Sequence, residues 1–77
     1  MSLLIATVDK NQREQVQISL DSFKGHNLVA VRVFYDAGGG EMKPSKKGVS
    51  IRPDMLDGIL DGLEAAKEEA IEKGWLV

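Results

Sequence analysis

The amino-acid sequence predicts an α+β fold, in which a four-stranded antiparallel sheet is followed by one long C-terminal helix. Up to about residue 52, apolar residues alternate with polar ones or cluster in short runs bounded by turn residues, as strands require. From residue 53 onward the apolar spacing changes to three and four, which is the spacing of a helix. The 77 residues suit one small domain. We place it at residues 14–77 and treat residues 1–13 as an N-terminal extension.

The first two predicted strands form a hairpin. Strict alternation of polar and apolar residues predicts a strand at about residues 15–22. Gly25 and Asn27 then supply residues that tolerate the positive φ of a tight reversal. The run that follows is rich in valine and aromatic residues and predicts a second strand at about residues 28–35.

Two shorter strands complete the predicted sheet, at about residues 41–46 and 48–52. The three glycines at 38–40 precede them and predict a flexible connection. Pro44 has no N–H to donate to a neighbouring strand, so it is expected in an edge strand or at the end of its strand.

The predicted helix runs from about residue 53 to 73. Pro53 suits its first position, where a missing N–H costs nothing, and Gly74 is the preferred left-handed terminator. Its apolar residues share one broad face, which we expect to cover the sheet. A separate acidic stripe lies on the exposed side and consists of Asp54, Asp57, Asp61, Glu64 and Glu68. Gly58 and Gly62 lie on a small-residue edge that allows another backbone to approach.

Stability and charge both point to partners. A chain of this size has a marginal core, and without cysteine it has no disulfide to help, so self-association is expected. The net charge of −2 argues against nucleic acid when taken as a whole. However, residues 1–53 carry eight bases and five acids, a charge of +3, whereas residues 54–77 carry two bases and seven acids, a charge of −5. Such asymmetry is typical of proteins with a charged partner.

Enzymatic chemistry is poorly supported by the sequence. His26 is the only histidine and is expected in a turn, and no thiol is present to act as a nucleophile. Five carboxylates spread over four helical turns cannot converge on one ion, so we expect no metal, no cofactor and no enzymatic activity. No segment approaches the length of a membrane span. We therefore expect a cytoplasmic protein, associated with the nucleoid or with a phage-infected cell, or a nuclear one if it is eukaryotic.

Basic residues accompany two of the four aromatic residues, Phe23 and Tyr35. Single-stranded nucleic acid is bound by this combination, because bases stack on aromatic rings while cations follow the phosphates. The alternative is structural, with Phe23 in a core, Tyr35 at a strand end and the lysines solubilising a turn. The cations concerned are Lys24, His26, Arg32, Lys43, Lys46 and Lys47.

The order of particular residues adds a resemblance to a known family. Phe23-Lys24-Gly25, Val33-Phe34-Tyr35, the segment GEMKPSKKGVSI at 40–51 and Pro53 resemble the positive cofactor four family of transcriptional coactivators and single-stranded DNA-binding proteins. The similarity runs from about residue 16 to 63, and the compact chain is most similar to bacterial or phage members. It implies the sheet and helix described above, and a homodimer whose helices pack together. We place that interface at Met55, Gly58, Ile59, Gly62, Leu63 and Ala66.

The resemblance also implies roles for individual residues. Phe23 and Tyr35 would stack on bases, and the phosphate contacts would be Lys24, Arg32, Lys43, Lys46 and Lys47, with His26 where a lysine is common. The family often has bases in and just after its first strand, where this chain has Glu14, Val16 and Asp21. Lys10 and Arg13 compensate only in part for these missing basic residues.

The function predicted is sequence-tolerant binding of single-stranded DNA, in transcription regulation or in DNA replication, recombination or repair. Two alternatives stay open: a protein-interaction module that recruits polymerase or replication proteins through its acidic helix, and a small RNA-binding regulator. One geometric condition accompanies the prediction. Arg32 and Tyr35 are three residues apart, so a regular strand places them on opposite faces. A bulge, or a strand that ends before Tyr35, would be needed for both to reach one DNA strand.

Overall fold

A computed structural model describes residues 2–76 and confirms the four-stranded antiparallel sheet followed by one helix. The strands lie in the sheet in their chain order, so each pairs with the next. The first and last strands therefore form the two edges. The elements are β1 (Ser2–Asp9), β2 (Glu14–Phe23), β3 (His26–Asp36), β4 (Met42–Ile51), a 3₁₀ turn (Pro53–Met55) and α1 (Leu56–Glu72).

The sheet begins earlier than predicted, because the segment expected to be an N-terminal extension contains β1. This strand pairs with β2 from Ser2 opposite Asp21 to Asp9 opposite Gln15. The register shifts between Leu4 and Ala6, and such a bulge inserts a residue that breaks the two-residue alternation. The simple alternation that identifies β2 is therefore missing from β1, and the sequence did not predict this strand.

The two short strands predicted at 41–46 and 48–52 are one strand, β4, which contains a bulge. Phe34 pairs with Pro44 and Arg32 with Gly48, so three residues of β4 lie opposite Val33 alone. The interruption that suggested two strands is this bulge. The expectation that Pro44 lies in an edge strand is confirmed, since β4 forms the outer edge beside β3.

The hairpin between β2 and β3 is tighter than predicted. Phe23 pairs with His26, so the loop consists of Lys24 and Gly25, with φ values of 51° and 80°. Two central residues with positive φ are typical of a type I′ turn, whose twist matches that of the flanking strands. His26, expected in the turn, is therefore the first residue of β3, with Asn27 next in the strand.

The strand register divides the sheet into two faces, because directly opposite residues in antiparallel strands share a face. One face, which we call the Arg32 face, includes Gln15, Gln17, Ser19, Asp21, Phe23, His26, Leu28, Ala30, Arg32 and Phe34. The other is more apolar in its middle and polar at one end, and we call it the Tyr35 face. It includes Glu14, Val16, Ile18, Leu20, Val29, Val31, Val33, Tyr35, Lys43, Val49 and Ile51.

The helix begins and ends close to the predicted residues. A 3₁₀ turn at Pro53–Met55 precedes α1, and Gly74, with φ of 76°, ends it. The Gly74 N–H donates to the Ile71 carbonyl at 3.0 Å and the Trp75 N–H donates to the Ala70 carbonyl at 2.8 Å. These two bonds form a Schellman motif, so the predicted terminator is confirmed. No helix within residues 2–76 is long and apolar enough to cross a membrane.

The helix does not cover the sheet, and that expectation was wrong. The substantial contacts of α1 are with the 3₁₀ turn before it, and no strand packs extensively against it. Arg52 and the 3₁₀ turn are all that connects β4 to α1. Among the described residues, only Val29, Ala30 and Ile51 are buried. The single chain therefore has a very small core.

Candidate nucleic-acid interface

The bulge of β4 fixes a cluster of cations at one edge of the sheet. The Ser45 hydroxyl donates to the Val33 carbonyl at 2.7 Å and accepts from the Lys47 N–H at 3.1 Å. The Arg32 guanidinium donates from Nη1 to the Ser45 carbonyl at 3.3 Å, which draws it toward the same edge. Arg32, Lys46 and Lys47 thus lie along a bulge whose backbone is tied to β3.

Gly48 makes this bulge possible. Its φ of 149° is a conformation that favours glycine, and a Cβ there would lie 2.5 Å from the Val31 carbonyl oxygen and 2.7 Å from the Arg32 Cα. No side chain fits in that space, so β3 and β4 approach closely only with glycine. A glycine within a strand pattern is a known sign of a bulge, and the sequence interpretation overlooked it here.

Exposed groups lie together at the β2–β3 turn. The Phe23 ring is 64% exposed, and Lys24 Nζ lies 5.3 Å from its centroid, within the range of a cation–π interaction. His26 is the cross-strand neighbour of Phe23. A shallow groove continues from these residues toward the 3₁₀ turn, where Arg52 Nε lies 3.2 Å from Asp54 Oδ1. The sequence interpretation did not include Arg52 in the site.

The second stacking candidate lies at the opposite end of the sheet. Tyr35 is 42% exposed, and its cross-strand neighbours are Glu14 on β2 and Lys43 on β4. An open groove passes this end of the sheet and is lined by Asn11, Gln12, Arg13, Glu14, Tyr35 and Asp36. Arg13 therefore lines the same groove as Tyr35.

The turn between β1 and β2 is organised by Asn11. Its Oδ1 accepts from the N–H groups of Arg13 and Glu14, both at 2.9 Å, and its Nδ2 donates to Glu14 Oε1 at 2.8 Å. Lys10 Nζ lies 3.7 Å from the same oxygen. The hydrogen bond from Asn11 and then the charge of Lys10 are the main causes that lower the pKa of Glu14 from its ordinary value of 4.5. Desolvation opposes them, and the charge of Lys47 and a hydrogen bond from Lys10 add weakly to the lowering. Lys10 is thus paired with an acid.

The structure does not gather all predicted contacts on one face. Strand β3 pairs with β2 without interruption from Tyr35 to His26, so Arg32 and Tyr35 lie on opposite faces. The condition stated for both residues to reach one DNA strand, a bulge or an early end of the strand, is not met within β3. The bulge is in β4, and β3 continues past Tyr35 to Asp36. Lys46 and Lys47 lie on the bulge at the β4 edge of the sheet, where the two faces meet.

The residues predicted to form a dimer interface lie along the 3₁₀ turn and α1. None of them is buried in the single chain. A Cβ added at Gly58 or Gly62 would meet nothing within 4 Å, so this small-residue edge is open. Within residues 2–76, no group of three or more metal-ligating side chains is placed to hold an ion.

The four-stranded antiparallel sheet and the helix that follows it define a small α+β fold, which is similar to that of solved structures of a PC4 homolog from Burkholderia pseudomallei. In its orthorhombic crystal form the TM-score is 0.83 at 33% identity, with 86% of this chain and 89% of that chain covered. In the tetragonal form the TM-score is 0.82 at 31% identity, with 87% and 98% covered.

The chain belongs to the Transcriptional Coactivator p15 (PC4) family, whose model matches residues 10–61. This confirms the resemblance seen in the sequence. A curated relative is the RNA polymerase II transcriptional coactivator SUB1 of Saccharomyces cerevisiae, which is 39% identical over 57 residues. These residues are 73% of this chain but 18% of the yeast protein, so the chain spans less than a fifth of that relative.

Proposed function

We propose that this protein binds single-stranded DNA with little overall sequence preference and is not an enzyme. The observation that carries the proposal is the β4 bulge, which holds Arg32, Lys46 and Lys47 at one edge of the sheet. The two ends of the same sheet carry the exposed aromatic rings of Phe23 and Tyr35. Cations beside aromatic rings are the combination that single strands require. Family membership supports the same conclusion.

The DNA strand is proposed to cross the β4 edge. Phe23 and Arg32 are on one face of the sheet and Tyr35 is on the other, so a path over either face alone misses one aromatic ring. A strand that passes over the bulge reaches both faces, with Lys46 and Lys47 near its phosphates. Lys43 and Lys24 then lie at the two ends of this path.

We also propose that the binding unit is a homodimer. In the single chain, large apolar side chains are exposed on the Tyr35 face at Leu3, Val8, Leu20 and Val49, and along the helical region at Met55, Leu60, Leu63, Ile71 and Trp75. A chain with three buried residues among those described needs further burial to be stable. A second copy that packs its helix against this one would supply it.

Sedimentation of the protein at micromolar concentration tests the dimer. The mass of one chain is 8.4 kDa, and we expect a species of twice that mass. A folded species with the mass of one chain would contradict the proposal.

The cellular role proposed is transcription regulation, or DNA replication, recombination or repair, in the cytoplasm or, for a eukaryotic source, in the nucleus. Titration of a labelled oligonucleotide separates the classes of function. We expect the single strand to bind more tightly than a duplex of the same sequence. An RNA of equal sequence that binds more tightly than the DNA would favour an RNA-binding regulator. Absence of binding to every nucleic acid would leave the acidic helix as a protein-interaction module.

A further inference from the structure

Glu14 is an acidic residue with basic side chains around it. It is the first residue of β2 and lies beside Lys10, and Lys47 of the β4 bulge is close enough to influence its carboxylate. A carboxylate repels phosphate, so an acid at this position weakens the general attraction to DNA. What a carboxylate adds is hydrogen-bond acceptance, which no lysine ammonium can provide.

The Glu14 carboxylate is held in place with one oxygen left over. Asn11 Nδ2, at 2.8 Å, and Lys10 Nζ, at 3.7 Å, both approach Oε1. Asn11 is fixed in turn by the two backbone N–H groups that donate to its Oδ1. In the part of the chain described, no protein donor is hydrogen-bonded to Oε2, and the Glu14 side chain keeps 27% of its exposure.

Tyr35 is the direct cross-strand neighbour of Glu14 and shares its face. Directly opposite side chains have Cβ atoms about 5 Å apart, so a base stacked on the Tyr35 ring would present one edge to the Glu14 carboxylate. The open groove lined by both residues leaves room for that base. Lys43, the neighbour of Tyr35 on the other side, is placed to meet a phosphate.

We propose that Glu14 selects the base that stacks on Tyr35, favouring bases with an exocyclic amino group and guanine above all. This inference rests on the proposed binding of single-stranded DNA. The Watson–Crick edge of guanine presents two adjacent donors, N1–H and the N2 amino group. Each carboxylate oxygen has two lone pairs, so Oε2, together with the lone pair that the Asn11 bond leaves on Oε1, can accept from both. Cytosine and adenine present one amino group beside an acceptor nitrogen. Thymine presents one N–H between two carbonyl oxygens, which a carboxylate repels.

The surroundings of Glu14 suit an acceptor that stays ionised. The Asn11 hydrogen bond and the Lys10 charge lower its pKa, so it is an anion at neutral pH. The positive charges of Lys10 and Lys47 offset its repulsion of the DNA backbone. Protein interfaces with single strands commonly join stacking with hydrogen bonds to the Watson–Crick edge, and this arrangement confines base selection to one position of an otherwise tolerant site.

The test uses fluorescence anisotropy with labelled oligothymidines of about 12 nucleotides, a length within the usual site sizes. One central thymidine is replaced by deoxyguanosine or by deoxyinosine, which lacks the N2 amino group. For the unaltered protein we expect about tenfold tighter binding of the guanine oligonucleotide than of the plain one, in line with a good contact to a base edge. The inosine oligonucleotide should fall between them.

The variant that tests the residue is Glu14→Gln, which keeps the shape and removes the charge. We expect its ratio of guanine to thymine affinity to fall below about twofold, because the charge-assisted acceptor is lost. Its affinity for plain oligothymidine should rise, since a repulsive charge is gone. The matched control is Glu41→Gln, an exposed acid of the β3–β4 connection that does not line the groove. It should leave the ratio near tenfold.

The outcomes separate the two proposals. Binding of all three oligonucleotides with equal affinity would overturn the role of Glu14 and leave single-stranded DNA binding intact. An unchanged guanine preference in Glu14→Gln would also overturn it, and so would an equal loss of preference in Glu41→Gln. No binding of any oligonucleotide would overturn the proposed function and this inference together.

Discussion

Replacement of Gly48 by alanine tests how the β4 edge is built. Two costs are expected. Alanine at a φ of 149° occupies a conformation that side chains rarely adopt, which costs about 1 to 3 kcal/mol. Its Cβ would also lie 2.5 Å from the Val31 carbonyl oxygen, so β4 must move away from β3, and overpacking of this kind costs about 1 to 3 kcal/mol. We therefore expect Gly48→Ala to lower the free energy of unfolding by about 3 kcal/mol or more.

Gly40→Ala is the matched control. Gly40 also has a positive φ, 81°, but a Cβ there would meet nothing within 4 Å. Its replacement should lower the free energy of unfolding only by the cost of holding alanine at a positive φ, about 1 to 2 kcal/mol. Urea denaturation of both variants at one protein concentration, followed by circular dichroism, measures the difference. Because the bulge positions Lys46 and Lys47, Gly48→Ala should also weaken DNA binding at concentrations where it remains folded.

Equal losses of stability in the two variants would refute this account of Gly48, because the close approach of β3 and β4 would then contribute nothing. A fully stable Gly48→Ala protein with normal DNA affinity would refute the bulge as the device that positions the cations.

Three further predictions concern the proposed site. Tyr35→Ala should weaken binding of an oligonucleotide by about 1 to 3 kcal/mol, the usual worth of one stacked base; unchanged affinity in an anisotropy titration would remove Tyr35 from the site. Replacing both Lys46 and Lys47 by alanine should make the slope of log affinity against log salt shallower by about 1.4, since each phosphate contact contributes about 0.7; an unchanged slope would contradict their assignment. The lowered pKa of Glu14 means that its interactions stabilise the fold above its ordinary pKa of 4.5 and are lost as pH falls through the folded value. Asn11→Ala removes the main cause, so an acid titration of unfolding should show less loss of stability below about pH 4.5 than in the unaltered protein, and an identical profile would contradict that cause.

Much of the sheet and the helix is visible in the sequence because β2, β3 and α1 have regular periods. The errors fall where the period is interrupted. A register shift near Ile5 hides β1, and the three residues opposite Val33 divide β4 into two apparent strands. The position of α1 was wrong for another reason. Its apolar face is evident from the sequence, but the period of one helix does not specify which surface packs against that face.

The residue types of the site were predictable, whereas their grouping was not. Alternation along β3 correctly indicates that Arg32 and Tyr35 lie on opposite faces. It does not show that Lys46 and Lys47 lie on a bulge of the neighbouring strand β4. The sequence sign of this bulge was Gly48, because a glycine inside a strand pattern often marks a bulge. The contacts of Glu14 depend on the Asn11 turn, which brings side chains together in a way that no periodicity reveals.

Binding of single-stranded DNA along the β4 edge is best examined by titrating a labelled single strand at several salt concentrations. Five cations are proposed to meet phosphates: Lys24, Arg32, Lys43, Lys46 and Lys47. At about 0.7 per contact, log affinity should fall with log salt at a slope of about −3.5. An affinity that does not change with salt would contradict the proposed interface.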